Sequence, residues 1–407
     1  MSAGQDQTAR LWDVATGEST VFRGHAAQVS RVAFSPDGAR FVSASLDGSV
    51  RVWTPQSAQG VIGPFSAMTR DVEFLSETRV AVGEYAPDVH LCSLDTRACE
   101  TLSGHRAQVN HIAVSADRRL LASASADGTI RLWDVSSEPA RPLRVFEAGA
   151  DVRDAVFLAD GKTLVSFGAD KLLRRWDLAT GEGRVVGTHP DVCHRLVASR
   201  EGAVIAAGCQ DNTAHVYDLT AGTSRILAGH ESRVLDLVFA PDGAHVATAS
   251  LDRTARLWDL ATGESRVLSA NDGGLYTVAY SPDGALLATG SDSGVARVWD
   301  LATGESRALH GHEDAVRHAA FSRDGRTLAT AGRDATARLW DLATGESRAL
   351  RGHTDALRNV AFSPSGLRVV TTSEDGTLRF FADDLPYDDA ALRARIEALA
   401  VPALARE

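Results

Sequence analysis

Six histidines in this chain, His25, His105, His189, His230, His312 and His353, are each followed 22 residues later by an aspartate. The aspartates are Asp47, Asp127, Asp211, Asp252, Asp334 and Asp375, and a strand hydroxyl such as Thr248 falls between the two partners. Imidazole, carboxylate and hydroxyl are the parts of a nucleophilic triad, in which the imidazole takes the hydroxyl proton and the acid orients the imidazole. The same three groups also build buried hydrogen-bond networks. Copy number separates the two readings, because a single reaction centre would not be written into six successive segments. The exception points the same way: Asn271 and Ser293 replace His and Asp together. Joint loss is expected of a structural network, since one unpaired buried polar group costs about 1–3 kcal/mol.

Other chemistries lack a pattern. The remaining histidines show no H-E-x-x-H spacing, and Cys92, Cys99, Cys193 and Cys209 form neither a CxxC pair nor a disulfide framework. No metal, cofactor or catalytic residue is expected on this basis. Gly273-Gly274 reads as a turn, and no glycine-rich phosphate loop opens a helix. A net charge of −11 argues against nucleic-acid binding, and no run of 18 apolar residues could cross a membrane as a helix. Sparse cysteine and no signal-peptide layout suit a reducing cytoplasm. Arg carries almost all the positive charge, Lys162 and Lys171 being the only lysines, a usage that points to a high-GC bacterial genome.

The elements that must position these residues are set by a repeat. All seven tryptophans, Trp12, Trp53, Trp133, Trp176, Trp258, Trp299 and Trp340, share one phase of a period near 41 residues. Cys92, Tyr217 and Phe381 hold that phase in the other units. Such a period means an array of small units, none of which can bury its apolar face alone. Within residues 230–268, runs of about five apolar-patterned residues are separated by Pro241-Asp242-Gly243, Leu251-Asp252-Arg253 and Thr262-Gly263 turns. That is a four-stranded antiparallel meander.

The Gly-His start, the Asp-bearing turn and the Trp-Asp end resemble the WD40 repeat, over residues 1–382. The resemblance implies an all-β propeller of four-stranded blades around a central channel. It also implies buried tetrads in which His bonds a hydroxyl and Asp while the Trp indole caps the chain. His230, Thr248, Asp252 and Trp258 would form one. His25 with Asp47 and Trp53, His105 with Asp127 and Trp133, and His312 with Asp334 and Trp340 would form others.

In that family the residues just after the His commonly meet partners. Here they give a rim of Gln28, Gln108, Asn110, Asp151, Arg153, His194, Arg233, Tyr276, Arg317 and Arg358, to be weighed against plain solvated loop. The expected partner is a protein or peptide, and the expected function a non-catalytic interaction scaffold or sensor. An alternative is a hydrolase- or lyase-type propeller enzyme with its site over the channel. Unlike ionisable side chains converging there would favour the enzyme, and only Val, Ala, Thr and Ser would exclude it.

The favoured partition has residues 1–97 as partial repeats beginning mid-blade and 98–382 as a seven-bladed ring. A single larger ring is the other partition. Residues 383–407 read as an acidic linker and a short amphipathic helix with Leu392, Ile396 and Leu399 on one stripe. This tail resembles those closing large bacterial regulatory proteins, and so implies an upstream kinase or NTPase domain within a signalling assembly.

Overall fold

The computed structural model describes residues 60–382, apart from 270, 271 and 367. Before them it describes Gln28 and the strands Ser2–Ala3, Thr8–Trp12, Ser19–Arg23, Val29–Phe34, Phe41–Ser45 and Val50–Trp53. His25, Asp47 and the tail helix expected around Leu392 lie outside the described residues, as do the side chains of Trp53 and His194. Among the described residues every regular element is a strand.

Residues 60–382 form eight four-stranded antiparallel sheets. Blades 1 to 7 cover residues 69–102, 109–147, 152–188, 193–228, 234–269, 275–309 and 316–350. Blade 8 takes three strands from Leu357–Phe362, Arg368–Ser373 and Leu378–Ala382, and its fourth from Gly60–Ile62. That borrowed strand pairs Leu378 with Ile62 and Phe380 with Gly60, so the two ends of the ring share one sheet. Two three-stranded sheets, within residues 2–23 and 29–53, precede the ring.

The composition of each strand follows its radial position. Second strands such as Leu120–Ser125 and Leu286–Ser291 are buried on both faces and alternate Leu, Ala, Ser, Thr and Gly. Small side chains there let neighbouring sheets approach without voids. Outermost strands such as Thr223–Ala228 are exposed except at one anchoring leucine, Leu227. Eight apolar clusters fill the eight junctions between blades. Trp258 of blade 5 packs with Ala206, Ala214 and Val216 of blade 4, and Trp176 of blade 3 with Ala122 and Ala124 of blade 2. The eighth cluster joins Val72, Val80 and Cys92 of blade 1 to Val370, Leu378, Phe380 and the borrowed Ile62.

This corrects the partition expected from sequence. The ring has eight blades rather than seven, and its first residues are at 60 rather than 98. The degenerate unit around Cys92 is a complete blade. It lacks the Gly-His and Trp signals, but Glu84, fully buried, pairs with His90 at 2.5 Å in their stead. The string WDLATGESR, repeated verbatim at 258–266, 299–307 and 340–348, also has a structural reason. Asp259 accepts from the amides of Ala261 and Thr262, closing a turn in which Gly263 adopts φ +81°. Arg266 then donates to the Leu301 carbonyl in the next copy, and Arg307 to that of Leu342. The first two copies each clip the one that follows.

If Gly60–Ile62 is what closes the ring, Ile62→Ala, at a 4 % exposed position, should cost about 2–4 kcal/mol in denaturant unfolding. Val267→Ala, on an exposed outer strand, should change stability by under about 0.5 kcal/mol. Equal effects would contradict the closure.

Candidate functional site: tetrads, channel girdle and rim

In blade 5, His230 places Nδ1 2.7 Å from Asp252 Oδ2 and Nε2 2.7 Å from Thr248 Oγ1. The Trp258 indole N–H donates to the same hydroxyl oxygen at 2.9 Å. Every group is satisfied when Trp258 donates to Thr248, Thr248 to Nε2, and Nδ1–H to Asp252. The set is repeated by His105, Ser123, Asp127 and Trp133 and by His312, Thr330, Asp334 and Trp340. In blade 8, His353, Thr371 and Asp375 keep the pattern beside Phe381. All four imidazoles are buried, which leaves no room for a substrate beside the hydroxyls. Burial works to raise Asp127, but hydrogen bonds from Thr129 and the Arg106 amide, with attraction to His105, hold it down at about 2. Burial pushes His105, His230 and His353 below the ordinary histidine value despite their aspartates.

The channel is not lined by small neutral residues alone. The third residue of each inner strand points to the axis, giving the circuit Asp71, His111, Asp154, Arg195, Asp236, Thr277, His318 and Asn359. Carboxylates alternate with donors over most of it. His111 lies 2.8 Å from Asp154 and 3.4 Å from Asp71, Thr277 donates to Asp236 at 3.0 Å, and Asn359 donates to Asp71 at 3.0 Å. Each carboxylate also accepts a main-chain N–H of the following blade: Ile112 to Asp71, Leu196 to Asp154 and Val278 to Asp236. The circuit therefore staples blades together from inside. Burial opposes charge on His111, but Asp154 and Asp71 outweigh it and raise its pKa, while His111 and Arg195 keep Asp154 low against the same burial.

One layer further along the strands, Glu73 is the ionisable member among Ala113, Val156, Val197, Val238, Ala279, Ala320 and Ala361. Its side chain is exposed to the channel, yet protein encloses the bore around it. Enclosure in the bore and then the Asp71 charge raise it from 4.5 to about 7. With His111, Arg195, Phe157, Phe239 and Tyr280 it lines a cavity of about 520 Å³.

The rim residues do not behave alike. Arg233 is exposed and makes no ion pair among the described residues. Arg153 is exposed beside Asp151 at 2.8 Å, Arg317 lies 4.8 Å over the Tyr276 ring, and Arg358 pairs with Glu374 at 2.6 Å. Gln108 and Gln28 are half-buried. Asn110 is a correction: at 3 % exposed it donates to Asp151 and to the Val152 carbonyl, pinning blade 2 to blade 3 instead of facing a partner. Arg70 of blade 1 occupies an equivalent exposed place, missed because that blade has no His from which to count. The girdle was legible in principle as the sixth residue after each His. It went unseen because its residue types differ from blade to blade.

Cysteine pairing overturns the sequence reading. Cys92–Cys99 and Cys193–Cys209 are disulfides across neighbouring strands, with no free cysteine among the described residues. Around the second, His189, Cys193 and Cys209 bring metal-ligating atoms together, as do Cys209, Asp211 and His215.

Two outcomes test these assignments. Trp258→Ala should cost roughly 3–5 kcal/mol through lost burial, and Glu264→Ala, in an exposed turn, under about 0.5 kcal/mol; similar losses would refute the structural role of the tetrad. Glu73 has a folded pKa above its unfolded value, so the stability it contributes is complete in acid and lost as pH rises through about 7. Glu73→Gln should leave Tm unchanged at about pH 3.5, below the unfolded value, and raise it at about pH 8.5. Identical Tm values at the alkaline pH would place Glu73 in open water.

Comparison with known proteins agrees with this geometry. Residues 151–386, more than half the chain, match the family described as IFT122 first beta-propeller, and residues 17–54 and 97–134 match the WD domain, G-beta repeat. WD repeat-containing protein SL1-17 of Schistosoma mansoni is 34% identical over 33% of this chain and 46% of its own length. The Ribosome biogenesis protein WDR12 homolog of Drosophila sechellia is 32% identical over 34% of this chain and 29% of its own. The guanine nucleotide-binding protein subunit beta of Arabidopsis thaliana is 28% identical over 33% and 39%. The matched region thus spans less than half of each relative. Blades, tetrads and family matches coincide, and the chain belongs to the WD40-repeat β-propeller family.

Proposed function

We propose that this protein is a non-catalytic protein-interaction scaffold whose channel mouth grips an acidic segment of a partner protein. The observation that carries the reading is the rim itself. Arg70, Arg153 and Arg233 are exposed on an otherwise acidic molecule, and Arg317 is stacked on Tyr276. Guanidinium groups on a rigid ring favour carboxylates, and complementary charge steers encounter. Two of the relatives named above, a G-protein subunit and a ribosome biogenesis protein, fit work inside assemblies.

The setting we infer is a bacterial signalling assembly with a kinase or NTPase domain upstream, in the cytoplasm that sparse cysteine favours and against which the two disulfides count. It rests on arginine-for-lysine usage and on the tail; the relatives named above are eukaryotic.

An enzyme reading keeps one observation in its favour. The channel does hold unlike ionisable groups, the outcome named above as favouring a site over the bore. Against it, the girdle carboxylates are engaged by main-chain N–H groups, which leaves Glu73 as the candidate acid or base. A small molecule that raises the Tm of wild type and not of Glu73→Gln would favour this second reading.

For the scaffold, charge reversal at Arg70, Arg233 and Arg317 together should reduce partner capture from source lysate by at least about tenfold with Tm nearly unchanged. Undiminished capture would remove this rim from consideration.

A further inference from the structure

Blade 4 departs from its sister blades at several positions around one point. Four residues after the His, blades 2, 5, 7 and 8 carry Val109, Val234, Val316 and Leu357, and blade 4 has Cys193. Twenty residues after it, they carry Ser125, Ser250, Gly332 and Ser373, and blade 4 has Cys209. Twenty-six residues after it, they carry Arg131, Arg256, Arg338 and Arg379, and blade 4 has His215. The tetrad hydroxyl is meanwhile lost to Ala207 and the indole to Tyr217. A drifting repeat would not be expected to replace three unrelated residue types with two thiols and an imidazole that meet in space.

They do meet. His189 Nδ1 lies 3.4 Å from Cys193 Sγ and 3.8 Å from Cys209 Sγ. Cys209 Sγ also shares a cluster within 4.8 Å with ligand atoms of Asp211 and His215, and the two imidazole rings stand 5.1 Å apart, edge to face. Tetrahedral zinc, with metal–sulfur bonds near 2.3 Å and metal–nitrogen near 2.0 Å, sets its ligand atoms roughly 3.3–3.8 Å apart. The His189–sulfur distances already have those lengths. Among the described residues His189 has no hydrogen bond to Asp211, the partner that the matching aspartate supplies in blades 2, 5, 7 and 8. Asp211 instead lies 3.6 Å from His215 Nε2, the type of carboxylate–imidazole contact that orients a ligand ring. His189, Cys193, Cys209 and His215 are all buried.

We propose that His189, Cys193, Cys209 and His215 form a site for a divalent cation of the zinc class, open when the Cys193–Cys209 disulfide is reduced and closed when it is formed. A dithiol reductant breaks the S–S bond by exchange, becoming a disulfide itself and leaving two thiols. The cation then displaces both thiol protons to solvent and binds two thiolates and two neutral imidazoles. The product carries no net charge, which suits a buried position. In the reverse direction, a disulfide-class oxidant takes the electron pair from the thiolates, re-forms the S–S bond and releases the metal.

Cobalt titration of the full chain tests this. Protein reduced with a phosphine, with its thiols counted, should bind one Co²⁺ with thiolate charge-transfer absorption and tetrahedral d–d bands, and Zn²⁺ should bleach both. Oxidised protein should show neither. Cys193→Ser and His215→Ala should weaken or abolish the bands, whereas Cys92→Ser with Cys99→Ser should leave them intact. Because a blade 4 variant could misfold, the wild-type comparison decides. Reduced, folded protein with free thiols and no charge-transfer band overturns the site, and so does equal cobalt binding by the oxidised form.

Discussion

A four-stranded sheet with two apolar faces is unstable unless both are covered, and each blade here covers its neighbours. The arrangement is stable only if the last blade also meets the first, so ring closure is the constraint behind the rest of the structure. It is met by a short strand, Gly60–Ile62, which completes the sheet of blade 8 from the segment just before blade 1. Thr69 adds hydrogen bonds to Ser373 across the same seam, and Asn359 reaches Asp71 at the axis. The two ends of the ring and the channel wall are thereby fastened at one junction.

Polar groups divide into two radial systems with different tasks. The tetrads lie within single blades and tie the His-bearing loop to the second and third strands, so they can recur with little change. The girdle lies between blades, and each carboxylate there joins one inner strand to the next. Eight different neighbourhoods then favour different residues, which explains why Asp, His, Arg, Thr and Asn all occur at one structural position. Glu73 sits just past the girdle, where enclosure and then the Asp71 charge raise its pKa.

Blades 3, 4 and 6 show how a repeat tolerates losing its network. Blade 3 keeps Trp176 bonded to Ser166 and blade 6 keeps Trp299 bonded to Thr289, without the histidine. Asp272 of blade 6 pairs with Arg297 instead. Blade 4 retains the histidine but surrounds it with sulfur and a second imidazole. The first two are reductions of the motif, whereas the third gathers sulfur and imidazole around one point.

Periodicity made much of this protein readable from the chain alone. Turn residues, strand lengths and the His-to-Asp and His-to-Trp spacings are local, and local patterns survive in a linear string. So the four-stranded blade and the make-up of the tetrads around His105, His230 and His312 could be written down in advance. Blade number could not, because it depends on where Gly60–Ile62 pairs, some 300 residues away in sequence from Leu378. The girdle, the Cys193–Cys209 pair and the approach of His215 to His189 likewise depend on strand register and on the angle between successive sheets. Those are properties of the closed ring, and the tertiary structure alone decided them.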